Sequence, residues 1–513
     1  PALDAAIAWL DPADAMLSLR AARSGVALAV ALADLAGNWP LERVTAALTR
    51  FADRALDFAI RAAFAEQGQE ATGLAVLALG KMGSFELNYS SDIDLIFLHD
   101  PETLPRRGRE EPTEAAIRIV RRVVALLAER RDGGYAFRVD LRLRPDPDST
   151  PASLPYGAAV AYYQSQALAW ERSAFIRARA AAGDLALGRQ FLVEIEPFLW
   201  RRSLDYSAIA EIREISHRIR DHFAEVQTPG PGFDLKRGRG GIREVEFYAQ
   251  VQQLIFGGRD QTLRAGATLD ALAALAAAGK IGLDAAADLS ATYRFLRTLE
   301  HRIQMLGDQQ THSIPKAAAE RKHLAGLAGA ADWKSLEAAL LPHLKAAGRL
   351  YDQLLQSDEG HRGERLPRDQ AEVEQWAQKA GIRDPALLAR LLAGWRTGRP
   401  RSLRAPEALQ AFEAVIPRLL AQIGGGRAGR EALLRFDQMI QALPSGVQFW
   451  RLLAANPDLA AVVGRVLTAT PVLSDALARR PVLLDILLQP AAPLADVPTA
   501  LAELTSAAGP LEG

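Results

Sequence analysis

Hydrophobic and polar positions divide this chain into a short region of strand-like periodicity set between long stretches of helical spacing. From Pro1 to Gln69 apolar residues recur at helical intervals, predicting amphipathic helices that lead into a first strand. Gly73 to Leu79 (GLAVLAL) is short and continuously apolar, the pattern of a buried strand. Gly80 to Ser84 predicts a tight turn opening a short helix, and Asp92 to Leu98 a second strand. Thr113 to Arg130 returns to helical spacing, with Thr113 as N-cap and Ile117, Val120, Val124 and Leu127 facing inward. Tyr135 to Arg144 alternates almost strictly, with Tyr135, Phe137, Val139, Leu141 and Leu143 opposite Arg138, Asp140, Arg142 and Arg144. From about Ser207 helices run on, interrupted by Thr228-Pro229-Gly230-Pro231-Gly232 and by Ser357 to Gln370. Pro457, Pro471 and Pro481 each precede a Leu-rich run, as prolines opening successive short helices would. The expected fold is α+β and mostly helical: a helical segment over 1–72, a mixed-sheet domain over 73–228, a helical bundle over 229–360 and a further helical domain over 361–513.

The polar positions of the strand region carry the candidate chemistry. Alternation sets Asp92 and Asp94 on one side of their strand while Ile93, Leu95 and Phe97 enter the core. If the Tyr135–Arg144 strand lies beside it, Asp140 completes a trio of carboxylates with arginines on the same face. Three such anions raise one another's pKa unless divalent cations neutralise them, and Mg2+ suits hard oxygen ligands while keeping positions for water and phosphate. The glycine turn at Gly80 permits close approach of phosphate to backbone N–H groups, and Lys81 adds a point charge. The competing reading makes Asp92 and Asp94 a solvated edge-strand face. The basic, glycine-rich loop Lys236 to Gly241 has two readings, a phosphate site or a plain helix entry. Glu244 and Glu246 stand at i and i+2 on a helix, on different faces, which argues against a paired metal site. The eight histidines show no metal spacing, and Phe449 and Trp450 read as helix-packing residues.

Composition narrows the classes. The 513 residues, 49% of them hydrophobic, supply core for several domains. With no cysteine, disulfides, thiol catalysis and cysteine-bound zinc are excluded. Lys plus Arg equals Asp plus Glu at 61 each, so no strong field favours nucleic acid or a membrane surface. The apolar AVALADLAG near the start is too short to span a bilayer, and a cytoplasmic protein is expected. The chain starts at Pro1 without methionine, and the expectation is a piece of a longer protein.

Gly80-Lys81, ten residues from Met82 to Ser91, and then Asp92-Ile93-Asp94 resemble the nucleotidyltransferase superfamily pattern of a glycine turn followed by D-x-D. The longer string from Gly80 to Phe97 (GKMGSFELNYSSDIDLIF) resembles the glutamine synthetase adenylyltransferase family, with Ser84 standing where that family usually has glycine. Trp170 to Arg179, followed by Gly183-Asp184, Asp234 to Phe247, and Phe295 to Gln304, followed by Gln310-Thr311-His312 and Pro315, are similar to further elements of the same family. The resemblance implies a nucleotidyltransferase mixed sheet flanked by helices. It also implies Asp92, Asp94 and Asp140 as catalytic, Mg2+-holding residues. Gly80, Lys81, Gly83, Ser84, Ser91 and Arg142 would then contact nucleotide or phosphate. Asn88-Tyr89-Ser90-Ser91 matches the first of the family's two catalytic copies, which removes AMP from a tyrosine of glutamine synthetase, with phosphate and ADP or ATP as small ligands. Adenylylated glutamine synthetase and a PII signal protein are the implied partners, without nucleic acid or membrane. Rival readings are forward adenylylation, or uridylylation of a regulatory protein by a relative whose His-Asp phosphohydrolase domain is not expected here. Template-independent RNA transfer is disfavoured by the balanced charge. A non-catalytic helical module binding a PII-type protein is the alternative outside enzymology.

Overall fold

The apolar run at residues 74–79 offers no polar face to water, so it needs cover on both sides, and it forms an inner strand of a five-stranded mixed sheet. The computed structural model describes residues 10–11, 14–131, 134–200, 229–356, 366–424, 429–443, 449–450, 453 and 463–467. The helices expected from Ser207 to 228 and after Pro457, Pro471 and Pro481 lie outside the described residues, as do Thr228 and residues 357–365 of the two expected breaks. The chain divides into two compact units, Pro1–Leu354 and Leu355–Gly513.

The first unit opens with α1 (Ala15–Leu35) and α2 (Leu41–Ala65). Asp14 caps α1 by accepting the Leu17 N–H at 3.1 Å. By length and composition α1 is long and apolar enough to cross a membrane, a longer apolar helix than the AVALADLAG stretch alone suggests. It extends because Arg20 is accommodated inside, bonded to the carbonyls of Gly134 (2.9 Å), Met16 and Glu129, while Leu19, Ala22, Val26 and Val30 join the core built with α2.

Next come β1 (Leu74–Ala78), the single turn α3 (Gly80–Gly83) and β2 (Asp92–His99), antiparallel to β1 with Ala78 opposite Leu95. The helix α4 (Pro112–Ala128) begins one residue earlier than Thr113 would set it. Pro112 takes the first helical position, where its fixed φ is pre-organised and its missing N–H costs nothing. Its inner face is Ala115, Ala116, Ile119, Val120, Val123, Leu126 and Leu127, whereas Ile117 and Val124 are only half-buried.

The alternating segment at 135–144 forms a strand over only three residues, β3 (Arg138–Asp140). Beyond it the chain turns. The Arg144 guanidinium holds the carbonyls of Leu141 (2.7 Å), Pro147 (2.5 Å) and Thr150, and Asp146 takes a left-handed φ of 38° between two prolines. Both β3 and β4 (Ser153–Pro155) pair in parallel with β2, β3 at its start and β4 at its end. After α5 (Tyr156–Ser165) and α6 (Ala169–Phe175), β5 (Arg179–Gly183) closes the other side, antiparallel to β1. Two short helices, α7 (Leu185–Glu194) and α8 (Glu196–Leu199), come after it.

The sheet therefore has two cores. Val76, Ala78, Ile93, Leu95 and Phe97 join the cluster of α1, α2 and α4, while Leu77, Leu79, Ile96 and Leu98 join Tyr163, Phe175 and Phe191. Helices α9 (Ile242–Phe256), α10 (Thr268–Ala277), α11 (Leu283–Met305), α12 (Ala318–Leu327) and α13 (Trp333–Gln356) complete the unit.

The second unit contains α14 (Gln370–Lys379), α15 (Pro385–Arg396), α16 (Pro406–Gly424) and α17 (Gly429–Ala442). Trp395, Phe412, Phe436 and Trp450 meet edge to face at its centre, and the Trp395 indole N–H reaches Asp437 at 2.7 Å. Trp450 is fully buried there, a packing residue.

Candidate active site

The turn between β1 and β2 places the carboxylates. Gly80 has φ +53°, and a Cβ added to it would collide with an Asp94 carboxylate oxygen, so glycine is required twice over. The Leu79 N–H donates to the Asp94 carbonyl at 2.9 Å, fixing turn and strand together. Gly83 is stricter still, because a Cβ there would strike the carbonyls of Arg177 and Ala78. Gly80→Ala is expected to cost about 1–2 kcal/mol from left-handed strain alone, and Gly83→Ala more, because rigid backbone blocks it. Urea midpoints of the two variants, compared with the parent chain, test this order.

In the parallel register Asp92 stands opposite Arg138 and Asp94 opposite Asp140, so the three carboxylates share one sheet face. Asp94 is the most perturbed: burial, then the charges of Asp92 and Asp140, push its carboxyl up to about 7. Asp140 moves the other way, held below the usual carboxylate range by the Arg142 guanidinium, whose Nη2 lies 2.5 Å from its Oδ2. Its Oδ1 also accepts the Arg142 backbone N–H at 2.8 Å. Among the described residues no three His, Cys, Asp or Glu side chains stand close enough together to hold a metal ion. What stands there is an all-oxygen donor set with one carboxyl crowded toward neutrality, which suits a hard divalent cation.

The remaining expected ligands are distributed otherwise. Lys81 is buried and donates to Glu300 at 3.0 and 3.2 Å, and burial lowers its pKa to about 8. The Ser84 hydroxyl donates to Glu86 at 2.7 Å. Ser91 is half-buried beside Asp92, and Arg142 is exposed apart from its contact with Asp140.

The string Glu86 to Ser90 does structural duty. Glu86 accepts the Thr268 N–H at 3.0 Å, Asn88 Oδ1 accepts from Arg297 at 2.5 Å and lies 3.0 Å from His301 Nε2, and the Ser90 N–H donates to Gln304 at 2.9 Å. Tyr89 donates to Asp34, which Arg302 also grips through two bonds of 2.7 Å. Helix α11 thus clamps the glycine turn and the loop after it through Arg297, Glu300, His301, Arg302 and Gln304. Beside it Arg177 pairs with Glu246 at 3.1 Å and holds that carboxyl down at about 2 against the burial that would raise it. The sequence signal for this clamp was the co-occurrence of the Glu86–Ser90 and Phe295–Gln304 elements, without any indication that they touch.

One His-Asp dipeptide does occur, at His99-Asp100, where β2 ends. His99 is fully buried against Ser153 Oγ at 3.0 Å and its pKa falls to about 4, while Asp100 accepts from Thr103 and Glu102. It is a strand-end turn rather than a phosphohydrolase centre.

A glycine turn feeding a D-x-D strand, with a third aspartate in register on the neighbouring strand, defines a nucleotidyltransferase-type domain embedded in helices. Residues 2–194 match the family model for glutamate-ammonia ligase adenylyltransferase, and residues 213–355 match that for GlnD PII-uridylyltransferase. The chain is 41% identical over 491 residues to a bifunctional glutamine synthetase adenylyltransferase/adenylyl-removing enzyme of Caulobacter vibrioides, covering 92% of this chain and 50% of that protein. Proteins of the same description from Rhizobium meliloti (40% over 515 residues, 97% and 52%) and Xanthobacter autotrophicus (41% over 498 residues, 93% and 50%) are equally similar. The chain thus carries a glutamate-ammonia ligase adenylyltransferase family domain over residues 2–194, and it spans about half the length of the curated relatives it matches.

Proposed function

We propose that this chain removes AMP from the adenylylated tyrosine of glutamine synthetase by phosphorolysis, as part of nitrogen-assimilation control. The observation that carries the reading is the register of Asp94 against Asp140, with Asp92 on the same face beside the Gly80 turn. The Asn88-Tyr89-Ser90-Ser91 string, similar to the first catalytic copy of the family, supports the direction. An oxygen of inorganic phosphate attacks the α-phosphorus of the tyrosyl-AMP diester, and the bond from phosphorus to the phenolic oxygen breaks. ADP leaves, and the tyrosine oxygen takes a proton.

Asp92, Asp94 and Asp140 are the residues that would hold Mg2+, and they fit it because they offer only oxygen and are crowded enough to need a cation. When bound, that ion supplies charge stabilisation to the attacking and leaving oxygens. The Gly80 backbone lets a phosphate approach where a side chain would block it, and Arg142 orients the Asp140 carboxylate. Glu300 and His312 keep Lys81 in place under the turn.

Incubation with adenylylated glutamine synthetase, phosphate and Mg2+ is expected to yield ADP and unmodified tyrosine in equal amounts. Release of AMP, or formation of ATP only when pyrophosphate is supplied, would overturn phosphorolysis. The second outcome would identify the forward adenylyl-transfer site, which uses the same carboxylates.

A further inference from the structure

The loop from Asp234 to Gly241 resolves between its two readings through its own hydrogen bonds. Asp234 Oδ1 accepts the N–H groups of Lys236 and Arg237 at 2.8 and 2.9 Å, and the Asp234 carbonyl accepts from Gly238 at 2.8 Å. Gly240 donates to Glu244 at 2.8 Å and Gly241 to the Gly238 carbonyl at 2.9 Å. The glycines answer to packing: a Cβ at Gly238 would enter the Phe233 ring, and one at Gly240 the Leu344 carbonyl. These five N–H groups are taken up inside the loop, so they form no cradle for an anion. The backbone is a rigid helix entry.

What this rigid entry presents is a side chain. The Leu235 N–H donates to the His312 carbonyl at 2.8 Å, and Ile314 donates to Phe233 at 2.9 Å. His312 in turn lies 2.6 Å from Glu300, which holds Lys81 of the catalytic turn at 3.0 Å. This chain of contacts ties the loop that carries the half-buried Lys236 to the turn beside Asp94, and the Lys236 charge acts on Asp94, Lys81 and Glu246. The neighbouring cations are already committed: Lys81 to Glu300, Arg177 to Glu246 and Arg142 to Asp140. Among the described residues the Lys236 ammonium has no ion pair and no hydrogen bond. A phosphate dianion entering a site of three carboxylates meets like charge, and an uncommitted lysine on a rigid loop offsets it.

We infer that Lys236, delivered by the helical segment rather than by the sheet, binds the non-bridging oxygens of the reacting phosphate groups. The inference rests on the nucleotidyltransferase reading above. It is tested by calorimetric titration of ADP with Mg2+ into the whole chain and into K236M and K236R, alongside thermal melting of each. The expected result is a loss of affinity of about ten- to a hundred-fold in K236M, with most of it restored in K236R and melting unchanged. In the phosphorolysis assay the KM for phosphate rises by a similar factor while that for the adenylylated protein stays constant. Unchanged ADP affinity in K236M overturns the assignment, and so does a loss that accompanies a lower melting temperature and is not rescued by arginine. Failure of the folded parent chain to bind ADP overturns the nucleotidyltransferase reading and this assignment together. ADP binding without phosphate-dependent ADP formation from the adenylylated protein overturns only the reaction direction and leaves the Lys236 measurement valid.

Discussion

Replacing Asp94 with Asn is expected to lower ADP formation from the adenylylated protein by about a thousand-fold or more, as loss of a group that organises charge at the reacting phosphorus does. The same change should make the metal-free chain more stable above neutral pH. Asp94 has its carboxyl pushed up to about 7 by burial and by Asp92 and Asp140, against an ordinary 3.8. Between those values the folded state binds the proton more tightly than the unfolded chain, so this group's contribution falls as pH rises and its penalty is complete above pH 7. Asparagine carries no such penalty. The stability of the two chains should therefore differ little near pH 4 and diverge toward pH 8, where the variant gains on the order of 1–4 kcal/mol. Urea unfolding in chelator measures this, and added Mg2+ should stabilise only the parent chain. A variant that retains activity sinks the catalytic assignment; one that is less stable at pH 8 sinks the account of carboxylate crowding.

Glu300→Gln is expected to destabilise the first unit by about 3–5 kcal/mol, the cost of removing one partner from a buried ion pair. Glu300 is fully buried and faces Lys81 at 3.0 Å, Arg297 at 3.0 Å and His312 at 2.6 Å. Burial alone would raise its carboxyl, but Lys81, the His312 bond and Arg297 hold it well below the ordinary range. Without that charge, the Lys81 ammonium loses the anion that keeps its pKa as high as about 8. The unfolded chain then holds the lysine proton more tightly than the folded one, so stability rises with pH once the folded pKa is passed. In the parent chain that rise begins near pH 8, and in the variant it begins lower. Urea midpoints at pH 6 and pH 9 should show a deficit that narrows at the higher pH. A loss below about 1 kcal/mol, or one that widens with pH, contradicts the role of Glu300 as counter-ion.

The candidate site was legible in proportion to how local its causes are. Period-two alternation exposes Asp92 and Asp94 together, and the same rule gives Asp140 its side, because backbone geometry alone decides which way neighbouring strand residues point. The length of the third strand was not legible. Leu141 and Leu143 continue the alternation, yet Pro145, Pro147 and the Arg144 bonds to nearby carbonyls turn the chain away. Nor did Lys81 and Ser84 reveal their partners, since Glu300 stands far along the chain and Glu86 turns its carboxylate inward only because Thr268 and Arg177 meet it there.

By itself the amino-acid order determined the glycine turn, the alternation of β1 and β2 and the helical character of the segments after the sheet, all of which depend on steric preference and periodicity within a few residues. Tertiary structure alone decided that β3 pairs with Asp94 opposite Asp140, that α11 clamps the Glu86–Ser90 loop and that the loop after Asp234 is tied through His312 and Glu300 to Lys81. Those pairings depend on side chains that meet only after the chain has closed loops of many residues, and a buried charge has no defined partner until then.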